Sequence, residues 1–98
     1  MSKCTYTYTV RKSNDINVLC LEDRGVGMSL TNGMEDVIEE LQLQFKKEGR
    51  PFPDLVIYKD TAGMWDGWDI QKEEFIHLQF KRQDKALNEI TIKKWEKD

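Results

Sequence analysis

The amino-acid sequence predicts an α+β domain, in which an antiparallel sheet of five to seven strands packs against one amphipathic helix. Three observations support this prediction. Residues 4–10 alternate large and polar side chains with the two-residue period of a strand. Residues 33–48 carry one apolar stripe at helical spacing. Short apolar runs separated by turn-forming residues follow, which is typical of a meander.

The chain has the length of one domain. Its 98 residues contain no Gly/Ser linker, internal repeat or low-complexity tract. We therefore expect residues 1–98 to form a single α+β domain with the element order β-β-β-α-β-β-β.

The first third of the chain predicts three strands. Tyrosines alternate with threonines in residues 4–10, and a polar turn over residues 11–15 leads to a second apolar run over residues 16–21, so the pair is expected to form a hairpin. Residues 22–25 are a further turn candidate. Alternation over residues 26–31 then predicts a third strand.

The helix has recognisable start and stop signals. Asn32 followed by Glu35 has the spacing of an N-cap with a carboxylate at the third helical position. The apolar stripe consists of Met34, Val37, Ile38, Leu41 and Phe45. Gly49 and Pro51 prevent continuation, so the helix is predicted over residues 33–48.

The second half predicts further strands over residues 55–58, 64–70 and 76–80. The last segment, residues 84–95, fits two structures. Its apolar spacing is typical of a helix, while the β-branched run over residues 90–92 favours a strand. We favour the strand.

The Asp66-Gly67 dipeptide decides where two tryptophans lie. As a type I′ turn it would make Trp65 and Trp68 cross-strand neighbours, partly exposed at a hairpin end. As a bulge within a longer strand it would send them to opposite faces, with at least one in the core. Both arrangements are compatible with the sequence.

Composition excludes several classes of protein. Fifteen Lys and Arg against eighteen Asp and Glu give a net charge of −3, which disfavours generic nucleic-acid coating. No apolar run is long enough to span a bilayer or resembles a signal peptide, so we expect a cytoplasmic protein without membrane contact. Cys4 and Cys20 are then expected to be reduced, and the alternation allows them to share one sheet face.

The residues needed for common catalytic chemistries are missing or weakly indicated. His77 is the single histidine and is predicted to face solvent, which disfavours nucleophilic catalysis. Asp60, Asp66 and Asp69 lie close in sequence, so a metal-dependent hydrolase remains the weakest alternative. We expect no enzyme activity, no cofactor and no resident metal.

Single-stranded nucleic-acid binding is a stronger alternative, because sheet aromatics can stack on bases. The aromatic candidates are Tyr6, Tyr8, Trp65, Trp68 and Trp95. Carboxylates are interleaved with the neighbouring lysines, so nucleic acid is an unfavoured partner.

Four segments carry a resemblance to other proteins: residues 28–32, residues 37–38, residues 56–60 and residues 63–67. Together they resemble a pattern in small uncharacterised proteins of bacteria and their phages. The resemblance covers residues 28–67 and implies a prokaryotic or mobile-element origin, with no activity to transfer.

The sequence therefore favours a non-enzymatic protein that acts through protein–protein interaction, as a regulator or inhibitor. The predicted interaction surface consists of Trp65, Trp68, Asp66 and Asp60, because tryptophans supply much of the binding energy at interfaces. Sheet edges offer a second route, either to a partner strand or to a homo-oligomer.

Overall fold

A five-stranded sheet with one helix on each face forms the structure, a computed structural model that describes residues 3–97 and the side chains of residues 3–93. The strands are β1 (Cys4–Ser13), β2 (Ile16–Gly27), β3 (Leu55–Lys59), β4 (Trp65–Asp69) and β5 (Glu74–Phe75). The helices are α1 (Leu30–Lys47) and α2 (Gln83–Lys97). The α+β fold class predicted from the sequence is confirmed.

The sheet is mostly antiparallel, but one pair of strands is parallel. Its spatial order is β1-β2-β3-β4-β5, and β2 and β3 are the parallel neighbours. Parallel strands need a long crossover connection, and α1 supplies it by running from the end of β2 back to the start of β3. The antiparallel prediction is therefore correct for three of the four strand pairs.

The first hairpin forms as predicted and is longer than expected. Asn14 and Asp15 have φ values of 50° and 64°, which is the left-handed pair that a two-residue type I′ turn requires. Ser13 pairs with Ile16 directly across this turn. The twist of such a turn matches that of the two strands, so pairing continues to the far end of both.

The predicted third strand over residues 26–31 does not exist as a separate element. Residues 22–25 stay within β2, where the register with β1 shifts, because Tyr6 pairs with Asp23 but Cys4 pairs with Gly27. The extra residues of β2 form a bulge at this point. The alternation that predicts a strand is therefore divided between the end of β2 and the start of α1.

Helix α1 begins three residues before its predicted start, and Asn32 is not its cap. The N-cap is Ser29, whose side chain makes no capping bond. Instead, the Asp23 carboxylate accepts the backbone N–H of Leu30 at 2.9 Å and that of Gly25 at 2.7 Å. Another secondary-structure element thus satisfies the helix start. Sequence spacing within the helix could not show this.

A kink at Gly33 separates the first turn of α1 from the rest, with φ −116° and ψ 17°. A Cβ atom at Gly33 would lie 2.5 Å from Cys4 Sγ and 3.1 Å from Met28 Sδ. Glycine therefore lets the first turn of α1 approach the start of the sheet closely.

The sheet separates two apolar cores. Under α1 lie buried residues of the sheet and helix: Leu19, Leu21, Leu30, Met34, Val37, Ile38, Leu41, Val56, Tyr58 and Trp68. Under α2 lie Val18, Cys20, Ile57, Trp65, Leu78, Ala86, Leu87 and Ile90. Because both faces of β2 and β3 are covered, these strands are apolar on both sides.

The final segment is a helix, so the strand that we favoured there is wrong. Ala86, Leu87 and Ile90 lie on the face that packs on the sheet, at the three- and four-residue spacing of a helix. Thr91 is also buried, and its hydroxyl donates to the backbone carbonyl of Leu87 or Asn88. Burial against the sheet outweighs the β preference of the branched residues.

Residues 76–80 are largely irregular, where the sequence predicts a strand. β5 contains only Glu74 and Phe75, and Phe80 forms an isolated bridge with Trp65. His77 and Gln79 have φ values of 64° and 54°, which a regular strand cannot accommodate. No helix in the described part of the chain is long and apolar enough to cross a membrane.

The two cysteines lie on opposite faces of the sheet, so they do not share the face that the alternation allows. Cys4 packs against the core under α1, and Cys20 belongs to the core under α2. The intervening sheet prevents a disulfide between them in this fold.

Cys20 is expected to react with thiol reagents about 100-fold more slowly than an exposed cysteine at pH 8. Burial, the largest cause, raises the pKa of its thiol to about 11 from an ordinary value of 9.0. At a pH below the ordinary pKa, a two-unit rise lowers the thiolate fraction about 100-fold, and unfolding restores it. Alkylation of a Cys4→Ser variant, followed by mass spectrometry with and without urea, measures this ratio. Equal rates in both conditions would contradict the burial.

Candidate functional site

The two tryptophans are core residues. Asp66 and Gly67 lie inside β4 in unbroken register with β3, where Gly67 pairs with Ile57, so they form neither a turn nor a bulge. Trp65 and Trp68 point to opposite faces and are 5% and 4% exposed. Residues three apart in a strand must face opposite ways. The predicted interaction surface at these tryptophans is therefore corrected, because neither side chain is open to a partner.

Asp66 is a buried organiser of the loop that follows β5. It is 3% exposed, and its Oδ1 accepts the backbone N–H groups of Gly67 at 2.8 Å and Leu78 at 2.6 Å. Its Oδ2 accepts Gln79 Nε2 at 3.2 Å. These three bonds hold the left-handed residues of the loop in place. The Asp66 carboxylate thus makes internal hydrogen bonds and is not exposed to a partner.

The side chains of Asp60 and Asp69 stabilise turns by accepting backbone hydrogen bonds. Asp60 Oδ1 accepts the N–H groups of Ala62 and Met64 at 2.9 and 3.0 Å. Asp69 Oδ1 likewise accepts the N–H groups of the second and third residues after it, at 3.0 and 3.1 Å. This is the usual role of aspartate at a turn.

The aspartates proposed for a metal-dependent hydrolase are not brought together. Asp66 and Asp69 are three residues apart in β4 and face opposite sides of the sheet. Within residues 3–97, no three His, Cys, Asp or Glu side chains are grouped so that they could hold a metal ion. The geometry therefore does not supply the constellation that this alternative requires.

The tyrosines of β1 do not form an exposed surface on which nucleic-acid bases could stack. Tyr6 and Tyr8 lie on the sheet face that α1 covers, and both are half-buried. The Tyr8 ring is 5.9 Å from the Phe45 ring, and Tyr6 Oη donates to Glu40 Oε2 at 3.3 Å. Burial, and then the Glu40 carboxylate, raise the pKa of Tyr6 to about 12. The Trp95 side chain lies outside the described residues.

A solvent-open groove lies between the N-terminal half of α1 and the β4–β5 connection. One recess of about 640 Å³ is continuous with a second of about 340 Å³, and the two share Glu35, Asp36, Trp68 and Glu73. Five carboxylates line the pair of recesses: Glu35, Asp36, Glu39, Glu73 and Glu74. We call this feature the acidic groove.

The acidic groove has an apolar floor and no opposing cation among its described lining residues. The half-buried Phe75 lies on the floor and packs against the buried Trp68, with ring centroids 4.9 Å apart and an interplanar angle of 70°. His77 lies at the rim. The backbone N–H of the next residue, Leu78, donates to Asp66 Oδ1. The buried aspartate therefore fixes the loop that carries His77.

Two local features place the carboxylates. Glu35 and Glu39 are four residues apart on α1 and so lie on one side of the helix. Glu73 follows β4 in a left-handed conformation, φ 54°, with its N–H bonded to the Asp69 carbonyl at 2.8 Å. That tight turn directs the chain back toward the helix.

Sequence reasoning missed this groove, although its parts were visible. The acidic pairs at residues 35–36 and 73–74 fit ordinary helix-start and turn roles. Their position in one groove depends on how α1 and β5 lie on either side of Trp68, which only the tertiary structure shows.

No family model, no curated protein and no solved structure matches this chain.

Proposed function

We propose that this protein is a non-catalytic binding module, a small regulator or inhibitor, whose acidic groove holds a Lys- or Arg-rich segment of a partner protein. The observation that carries the proposal is that five carboxylate residues line one open groove, without a described Lys or Arg in its lining. A cytoplasmic setting agrees with two cysteines that lie on opposite faces of the sheet and so cannot pair with each other.

Charge favours a basic partner over other ligands. Like-charged carboxylates in one concave surface repel one another, and a cationic segment relieves that repulsion on binding. Such a surface also raises the association rate, with an effect that salt screens. Because the net charge of the whole chain is −3, the field outside the groove reinforces this preference.

The apolar floor suits the same partner. Lysine and arginine side chains have long aliphatic stems that pack on apolar surface while the charged ends stay in water. The half-buried Phe75, which packs on the buried Trp68, offers such a surface between the carboxylates of α1 and of the β4–β5 connection. An arginine can also stack its guanidinium on an aromatic ring.

Catalysis has less support in the groove. The hydroxyl-bearing residue in its lining is Thr31, whose Oγ1 is 3.3 Å from Tyr58 Oη, so this hydroxyl is already paired. Neither cysteine is among the described lining residues of the groove.

A fluorescein-labelled peptide of lysine and arginine pairs separated by glycine tests the proposal. We expect it to bind at low ionic strength and to bind less at about 0.15 M salt. The double variant Glu35→Gln, Glu73→Gln should weaken binding by about 2- to 30-fold, since each partly exposed charge contributes about 0.2–1 kcal/mol. Fluorescence anisotropy measures the change.

A matched double variant controls for net charge. Glu48→Gln with Asp54→Asn removes two exposed carboxylates outside the groove and should leave the peptide affinity within about twofold. Equal weakening by both double variants would mean that only overall charge matters. That result, or no binding at low salt, would refute the groove as the site.

A further inference from the structure

We propose that the free edge of β1 accepts an extended acidic segment of another protein as a sixth strand of the sheet. β1 has ten residues and lies at one end of the strand order, with β2 as its one strand neighbour in the described chain. In an antiparallel strand, alternate residues direct both N–H and C=O to the same side. About half the residues of β1 therefore direct these groups away from β2.

The two edges of the sheet differ in how far they are protected. The opposite edge strand, β5, has two residues, a length that offers little to pair with. In β1, the eight residues from Tyr6 to Ser13 each pair with one residue of β2 in unbroken register. This stretch contains no proline and no bulge, the usual devices that block edge pairing. A partner strand can therefore follow it along its length.

The charges at this edge select an acidic partner. Arg11 and Lys12 are exposed on opposite faces of β1, and the strand contains no carboxylate. Arg50 lies 4.3 Å over the ring of Phe45, the residue that contacts Tyr8, but it is ion-paired with Glu48 at 3.3 Å and adds no net charge to this edge. Like charges opposite one another in a sheet are destabilising, and opposite charges stabilise.

The same charges argue against a second copy of this chain as the occupant. Pairing β1 with β1 would bring Lys3, Arg11 and Lys12 of both copies into one ribbon, again without a carboxylate in either strand. The homo-oligomer considered from the sequence is therefore the less favourable occupant of this edge. A partner with acidic residues opposite Arg11 and Lys12 avoids that cost.

Side chains on the two faces of β1 define the rest of the partner strand. Thr7 and Thr9 are exposed on one face, while Tyr8 and Val10 lie on the other beside α1, with Val10 36% exposed. A segment that alternates threonine with valine matches both faces, because cross-strand β-branched pairs and threonine pairs are favourable. Backbone bonds would supply affinity and these side chains the selectivity.

Labelled synthetic peptides test the proposal on the intact protein. The probe is a peptide of alternating threonine and valine that ends in two glutamates, and its twin ends in two lysines. We expect the acidic peptide to bind at low salt and to shift the amide NMR signals of β1. A third peptide, N-methylated at alternate residues, lacks the donors that pair with the edge and should lose binding at least about tenfold.

Charge reversal on the protein completes the experiment. The double variant Arg11→Glu, Lys12→Glu should weaken binding of the acidic peptide by about 3- to 30-fold. The matched double variant Arg24→Glu, Lys72→Glu changes two exposed cations elsewhere and should change the affinity by less than about twofold.

Several outcomes overturn the proposal. These are no binding at low salt, equal affinity for the basic twin or for the N-methylated peptide, equal effects of the two protein variants, and a free protein that already dimerises through β1. Amide shifts confined to the groove residues would also overturn it. They would leave the proposed function standing, because the groove and this edge lie at opposite ends of the strand order.

Discussion

Replacing Asp66 by alanine is expected to lower the free energy of unfolding by about 2–5 kcal/mol, the largest effect of any polar substitution that we predict. The substitution removes the acceptor of three hydrogen bonds, from the N–H groups of Gly67 and Leu78 and from Gln79 Nε2. Each buried donor left without a partner costs about 1–3 kcal/mol. Urea titration followed by tryptophan fluorescence measures the loss.

Asp69→Ala is the matched control for this prediction. Asp69 also accepts two backbone N–H groups, but those of the exposed turn residues Gln71 and Lys72, which water can satisfy in its place. We expect Asp69→Ala to cost less than about 1 kcal/mol. If the Asp69 variant lost as much stability as the Asp66 variant, burial would not be the reason for the effect.

Asp66→Ala should also weaken peptide binding in the acidic groove. Asp66 holds the loop in which His77 and Gln79 adopt left-handed conformations, and His77 forms part of the groove rim. Without the carboxylate, the loop has little reason to keep a conformation that costs about 1–3 kcal/mol per residue. The basic peptide should therefore bind more weakly to Asp66→Ala at temperatures where the variant is still folded.

The second large effect is expected at Gly67, where Gly67→Val should destabilise the fold by about 1–3 kcal/mol. Local preference predicts the opposite, since valine favours strands and glycine weakens them. However, a Cβ atom at Gly67 would lie 3.0 Å from Ile76 Cδ1 and 3.2 Å from Ile90 Cδ1. Packing against α2 and the loop therefore decides the sign. Urea denaturation measures it.

A double-mutant cycle with Ile76→Ala isolates the cause. Ile76 is half-buried, so its truncation alone should destabilise the fold, but it also makes room beside residue 67. The double variant should then be more stable than the sum of the single effects by at least about 0.5 kcal/mol. Strict additivity, or a stabilising Gly67→Val, would show that the close approach does not limit this position.

Some elements follow from local patterns. The apolar stripe from Met34 to Phe45 predicts most of α1, because a helix buries one side at this spacing whatever it packs against. The polar turn before Ile16 predicts the first hairpin, because turn chemistry and a two-residue alternation act over a few residues. These predictions need no knowledge of distant parts of the chain.

Other elements were predicted incorrectly because a distant contact outweighs the local preference. The β-branched run at residues 90–92 favours a strand, yet the buried side of α2 packs Ile90 and Leu87 onto β3 and β4. Residues 76–80 alternate like a strand, yet the Asp66 carboxylate bends them into a loop. At the start of α1, the backbone N–H of Leu30 is bonded by the distant Asp23 carboxylate, and Asn32 is not the cap that its spacing predicts.

Local sequence was thus sufficient for the α+β class, for α1 and for the β1–β2 hairpin, since hydrophobic periodicity and turn geometry are properties of neighbouring residues. Only the tertiary structure decided that both tryptophans are core, that a second helix covers the other face, and that carboxylate residues of α1 line one groove with those after β4. The reason is physical: burial and charge convergence depend on which surfaces come together, and residues far apart in the chain set those contacts.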